Sequence, residues 1–216
     1  MNRYYDLSQR IEEGMTIFPG DPVPRFEPAA GAISPWRVTA LHLGSHSGTH
    51  IDAPSHFLPD GKTIDQYPLE RFMVAGIILP FTGLSDDQSI QADFIQKGLK
   101  GVPKGGAVLI RTGWDQFWNT DRYLRHPYLS PEAAEQIAEA GPGLVGIDAL
   151  NVDSTVQGTN HAHRILLGND ILIVENLTRL EQLQPGVLFQ FSFLPIFSAG
   201  WDGSPVRAAA WKPTLS

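Results

Sequence analysis

The chain contains no cysteine. Disulfides, thiolate metal sites and cysteine nucleophiles are therefore excluded, and any bound metal must be held by nitrogen and oxygen donors. There is no run of lysine and arginine, and the formal net charge is −7. Both features argue against nucleic acid or an anionic membrane as the partner, because each selects a basic patch. Long apolar runs are missing too. The stretch from Met1 to Met15 lacks the apolar centre of a secretory signal, and nothing later approaches a membrane span, so the expected location is the cytoplasm. No P-loop is present and no G-x-G-x-x-G follows a predicted strand, which removes the usual nucleotide-binding signatures.

What is present reads as a compact α/β chain. Of 216 residues, 42% are hydrophobic and only 18% charged, a profile that can bury a core, and no linker, low-complexity tract or repeat divides them. One domain spanning 1–216 is the expectation. Strand-like runs are Trp36 to Leu43, Phe72 to Phe81, Ala107 to Thr112, Leu144 to Asp148, Ile171 to Val174 and Val187 to Leu194. Between them, Asp93 is placed to cap a short helix reaching Gly98. Ser130 and Pro131 suit the cap and first position of a second helix, which Gly141 and Pro142 end.

The chemistry is concentrated in His46-Ser47-Gly48-Thr49-His50-Ile51-Asp52-Ala53-Pro54-Ser55-His56. Imidazole and carboxylate are the donors that Zn²⁺ and Mn²⁺ accept in hydrolase sites. In an extended chain the even spacing puts His46, His50, Asp52 and His56 on one face. At about 3.3 Å per residue, however, the Cα atoms of His46 and His50 would lie roughly 13 Å apart, so the chain must bend between them. Gly48, midway, can supply that bend, while Thr49, Ile51 and Pro54 disfavour a helix. The motif therefore belongs on a strand end or loop. A second cluster, His161 and His163, is followed by Glu175, which could complete a second metal position. His42 and His126 have no partner at ligand spacing and are read as structural. Asp148 ends a predicted strand and either orients a ligand or caps a turn.

The first run resembles the HxGTHxDxPxH signature of the cyclase family of metal-dependent hydrolases, which includes bacterial kynurenine formamidase and isatin hydrolase. Further similar pieces follow in the family's order: Asp6-Leu7-Ser8, Pro19-Gly20-Asp21-Pro22, Arg111-Thr112-Gly113-Trp114, Gly146-Ile147-Asp148, His163 to Leu167, Glu175-Asn176 and Gly203 to Arg207. The resemblance implies a swivelling β/β/α fold assembled as a homodimer or homotetramer. It implies that His46, His50 and Asp52 bind one divalent ion, Zn²⁺ or Mn²⁺, and that Asp52 bridges to a second ion held by His163 and Glu175. His56 would be the proton shuttle. Either His of the second pair could ligate; the step to Glu175 favours His163 and leaves His161, like Asp148, a candidate for a metal or outer-layer role.

Phe18, Phe57 and Trp114 are candidates for an aryl pocket, although such residues more often fill cores. Where this chain has Phe18, kynurenine formamidases carry a substrate-facing Trp. The expected activity is metal-dependent amide hydrolysis of a small molecule, with N-formylkynurenine as the leading substrate and a cyclic amide such as isatin, or a lactone, as the alternative. A serine hydrolase fits poorly, since His46 stands where a nucleophile elbow needs serine. A non-catalytic metal-binding protein is the stronger rival, because it would use the same ligands in a closed sphere.

Overall fold

The computed structural model describes residues 4–29 and 36–213. In chain order the strands are β1 (Tyr4–Asp6), β2 (Arg25–Pro28), β3 (Thr39–His42), β4 (His50–Asp52), β5 (Met73–Pro80), β6 (Ser89–Ile90), β7 (Ala107–Arg111), β8 (Tyr128–Leu129), β9 (Leu144–Ile147), β10 (Leu172–Glu175), β11 (Phe189–Ser192), β12 (Gly203–Pro205) and β13 (Ala209–Trp211). The α-helices are α1 (Ala92–Leu99), α2 (Pro131–Ala140) and α3 (His161–Gly168). Nine strands form one mixed sheet in the order β1-β13-β11-β5-β7-β9-β10-β4-β12, while β2 pairs with β3 and β6 with β8. The centre, β5-β7-β9-β10, is parallel, and both flanks are antiparallel.

Strand alternation builds two cores from one sheet. Ile77, Leu79, Val108, Ile110, Val145, Ile147 and Ile173 face one way and pack beneath the helices with Ile95, Ile137 and Leu166. Ile78, Leu109, Leu144, Leu172 and Val174 face the other way, where the sheet curls over them and Phe189, Phe191 and Phe193 fill the interior. Closure is completed by the chain flanking β1: Leu7 N–H donates to Ala208 O at 2.9 Å, Thr178 N–H donates to Leu7 O at 3.0 Å, and Ser8 bridges to Leu177. The α/β class expected from the sequence is the class observed.

All six strand-like runs contain strands; five are trimmed by one to three residues at one or both ends, and the sixth, Ile171 to Val174, is shifted by one residue to Leu172–Glu175. Ser130 caps α2 as expected, its Oγ accepting from Ala133 N at 3.1 Å. Asp93 does not cap α1; the cap position is Gln91, and Asp93 sits in the first turn, where its charge faces the positive end of the helix dipole. The string Gly141-Pro142-Gly143-Leu144-Val145-Gly146 has dinucleotide-binding spacing but runs out of α2 into β9, the reverse of the strand-to-helix order that phosphate binding needs. Among the described residues no helix is long and apolar enough to cross a membrane.

Candidate metal centre and active site

The donor-rich strand β4 is buried between β10 and β12. Ile51 enters the sheet interior opposite Val174, which turns His50 and Asp52 to the helical face. Register does the rest: His50 lies directly across from Glu175. Upstream, Gly48 adopts φ +65°, the bend that the spacing demanded, and brings His46 back over the strand so that the His46 and His50 rings lie 5.0 Å apart. Downstream, Pro54–His56 coils into a single 3-10 turn that returns His56 to within 3.9 Å of the His46 ring.

The other half comes from α3. Asp153 accepts the N–H groups of Ala162 at 3.0 Å and His163 at 2.9 Å, capping the first turn, and also holds His163 Nδ1 at 2.9 Å. His163 Nε2 is thereby aimed at the sheet, 3.6 Å from Asp52 Oδ2 and 3.5 Å from Glu175 Oε1. Glu175 is held by the Val152 N–H at 2.9 Å. On the first side, His46 Nδ1 lies 2.7 Å from Asp52 Oδ1 and His50 Nε2 3.3 Å from it. His50 is oriented by its Nδ1 donating to Gly48 O at 2.9 Å. Two largely buried ligand sets share Asp52, His46/His50/Asp52 and Asp52/His163/Glu175, and a third, more exposed group of possible ligands, His46/His56/Asp202, adjoins them.

These donors fit a divalent metal centre. Asp52 Oδ2 is buried without a hydrogen-bond partner, and such an atom is costly unless a cation meets it. The Nε2-to-carboxylate separations of His50 and His163, 3.3 to 3.6 Å, are loose for hydrogen bonds. They match roughly 3.0–3.5 Å, the spacing of two donors that each reach one ion at about 2.1 Å. Protons do the balancing otherwise. Burial pushes His46 and His163 down, but Asp52, Asp153, Asp202 and Glu175 outweigh it and hold them at about 9 and about 10. Asp52 shows the reverse: burial pushes it up, and the facing histidines hold it well below the usual carboxylate range.

The centre opens into a cleft of about 210 Å³ lined by Phe18, Asp21, Phe57, Leu150 and Asn151 besides the histidines. Phe57 stacks on His163 with centroids 4.5 Å apart. A larger recess of about 560 Å³, bordered by Leu43, Ile196 and Trp201, shares His46, His56 and Asp21 with it.

The sequence candidates thus separate. His46, His50, Asp52, His56, His163 and Glu175 converge, and Phe18 and Phe57 line the cleft. Trp114 does not; it is buried in the helical core against Phe117, with the Arg122 guanidinium over its ring, because the turn after β7 directs it inward. His161 belongs to neither ligand set: its Nε2 is taken by Leu129 O at 2.7 Å, and it reaches the site only through Asp153, 3.4 Å away. Asp148 caps the turn after β7, accepting from Thr112 N, Thr112 Oγ1 and Gly113 N. Burial raises its pKa to about 7, those hydrogen bonds offsetting part of the rise. His42 pairs with Glu27 on the β2-β3 hairpin. Two residues escaped sequence reading. Asp153 precedes its histidine by ten positions and Asp202 follows His56 by 146, so neither falls in a local motif.

The sequence pattern of the Cyclase family matches residues 5–154. A kynurenine formamidase of Geobacillus thermodenitrificans is 33% identical, the alignment covering 98% of this chain and 99% of that one. A solved structure described as a potential metal-dependent hydrolase with cyclase activity matches with TM-score 0.83 at 25% identity, covering all of both chains. Isatin hydrolase A from Labrenzia aggregata matches with TM-score 0.85 over 98% of this chain and 94% of its own, at 24% identity, a likeness of fold.

Proposed function

The chain belongs to the cyclase family of metal-dependent hydrolases, and from that premise we propose that it hydrolyses the C–N bond of an N-formyl arylamine, N-formyl-L-kynurenine being the first candidate. The observation that carries this is the bridging position of Asp52, with one oxygen toward His46 and His50 and the other, unpartnered, toward His163 and Glu175, at the floor of a cleft with aromatic walls. The opening to that cleft also favours a catalyst over a closed structural metal site.

His46, His50 and Asp52 would hold one ion, and Asp52, His163 and Glu175 a second, each Zn²⁺ or Mn²⁺. Bound there, the ions supply Lewis acidity and a nucleophile competent at neutral pH. The chain supplies the rest. Gly48 O and Asp153 fix the ligand rings through their outer nitrogens, which sets both tautomer and aim. Phe18 and Phe57 line the cleft and would give an aryl group apolar walls to lie against. His56 lines the cleft with its side chain 28% exposed, placed to give a proton to the departing amine. The active assembly in this reading is a homodimer or homotetramer.

The test is hydrolysis of N-formyl-L-kynurenine by chelator-stripped protein before and after reloading with Zn²⁺ or Mn²⁺. Metal-restored turnover supports the reading. Turnover of isatin or a lactone instead would move the substrate to a ring-opening reaction at the same centre, and no turnover of any of them would return the site to metal binding without catalysis.

A further inference from the structure

Asp202 stands in the turn that leads into β12, and that turn is tied to the loop carrying His56. Ala53 N–H donates to Asp202 O at 2.8 Å, and Ile64 N–H donates to Trp201 O at 2.9 Å. From this fixed position a single carboxylate oxygen, Oδ2, meets two rings: His46 Nε2 at 3.0 Å and His56 Nδ1 at 3.2 Å.

A carboxylate oxygen only accepts, so both facing nitrogens must carry hydrogen. With an ion taking the place of the proton that His46 Nδ1 otherwise shares with Asp52, both rings are neutral and the lone pair of each sits on the nitrogen opposite Asp202. For His46 that is Nδ1, the atom 2.7 Å from Asp52 Oδ1 and on the side of the ligand set. For His56 it is Nε2, the atom left free for proton transfer, on a ring that lines both recesses. We propose that Asp202 is a positioning residue shared by the two functions of the site: it holds His46 as a ligand through Nδ1 and His56 as a proton carrier through Nε2. This rests on the hydrolase reading above and adds the group that couples ligand geometry to proton delivery.

Asp202→Ala and Asp202→Asn are compared with the parent protein at saturating Zn²⁺ on two substrates sharing one acyl group, N-formylaniline and phenyl formate. The anilide must protonate its leaving amine; the ester's phenolate leaves without help. Asn keeps an oxygen able to accept both N–H groups, and Ala keeps none. The expected result is a fall in kcat of about 100-fold on the anilide and under about tenfold on the ester for Asp202→Ala, with at least about tenfold of the anilide loss recovered in Asp202→Asn. Zinc bound per chain is expected to be the same in all three. Equal losses on the two substrates, no recovery in Asp202→Asn, or the loss of one zinc per chain would overturn the assignment.

A second measurement does not depend on turnover. Two-bond ¹⁵N–¹H correlation spectra of the zinc-loaded protein read histidine tautomers directly, and His56 is expected as Nδ1–H in the parent and as a mixture or Nε2–H in Asp202→Ala. An unchanged tautomer overturns the proposal. If the parent cleaves neither substrate, the N-formyl arylamine reading fails while the spectra still decide the role of Asp202.

Discussion

Gly203 and His46 are packed so closely that a Cβ on Gly203 would lie 2.7 Å from His46 Cε1, and 2.8 Å from the Ile51 carbonyl oxygen. The absence of a side chain on β12 is therefore part of what lets the first ligand reach its place. Gly203→Ala is expected to shift His46 and to separate β12 from β4 locally. It should destabilise the fold by about 1–3 kcal/mol and weaken metal binding by roughly 10- to 100-fold. A thermal melt and a zinc titration check both; unchanged affinity would show that the ring has room to move.

His50 faces Asp52 and Glu175 together, so its removal should be felt by both ligand sets. His50→Ala is expected to lower metal per chain and turnover in parallel. Full metal content with lost activity would remove it from the ligand set, and metal analysis after dialysis reads this directly.

His56 differs, because it faces Asp202 and belongs to neither set built on Asp52. His56→Ala should retain its metal and lose about 10²- to 10⁴-fold in kcat on an amide, the span ordinary for a positioned proton donor. Were metal to fall with the rate, His56 would be a ligand instead.

Stability should depend on pH in opposite ways with and without metal. His46 and His163, at about 9 and about 10, sit above the ordinary histidine value of about 6.5, so the metal-free fold binds their protons more tightly than the unfolded chain does. That contribution is complete below about pH 6.5 and is lost as pH rises through about 9 to 10. Chelated protein is therefore expected to melt at a lower temperature at about pH 10 than at about pH 7, and the loaded protein much less so, because the ions replace those protons. Melting curves across that range, with chelator and with Zn²⁺, test it; parallel curves would contradict the electrostatics of the site.

A smaller test concerns Asp148, whose two oxygens accept three donors from Thr112 and Gly113. Asn would turn an N–H₂ toward one of them. Asp148→Asn is expected to cost about 1–3 kcal/mol of stability while leaving the metal stoichiometry unchanged. Loss of metal would instead make Asp148 a support of the centre.

The sequence by itself determined the ligand types and most of their positions. Without cysteine only imidazole and carboxylate remained; the even spacing gave His50 and Asp52 one face of β4 and Gly48 the bend, while His46 and His56 converge through the turns that flank the strand rather than by alternation along it. Short, continuous apolar runs announced the strands of the sheet centre, because four buried residues in a row leave a composition that can be read locally. The short strands β1, β4, β12 and β13 could not be read so, since three residues carry no period and are held by partners far along the chain. Tertiary structure alone decided that Glu175 lies across from His50, that Asp153 aims His163 while His161 is turned away, and that Trp114 is core rather than pocket. It alone placed Asp202 between two histidines. Each of these depends on strand register or on where a turn leaves its side chain, and both are fixed only when the two cores close.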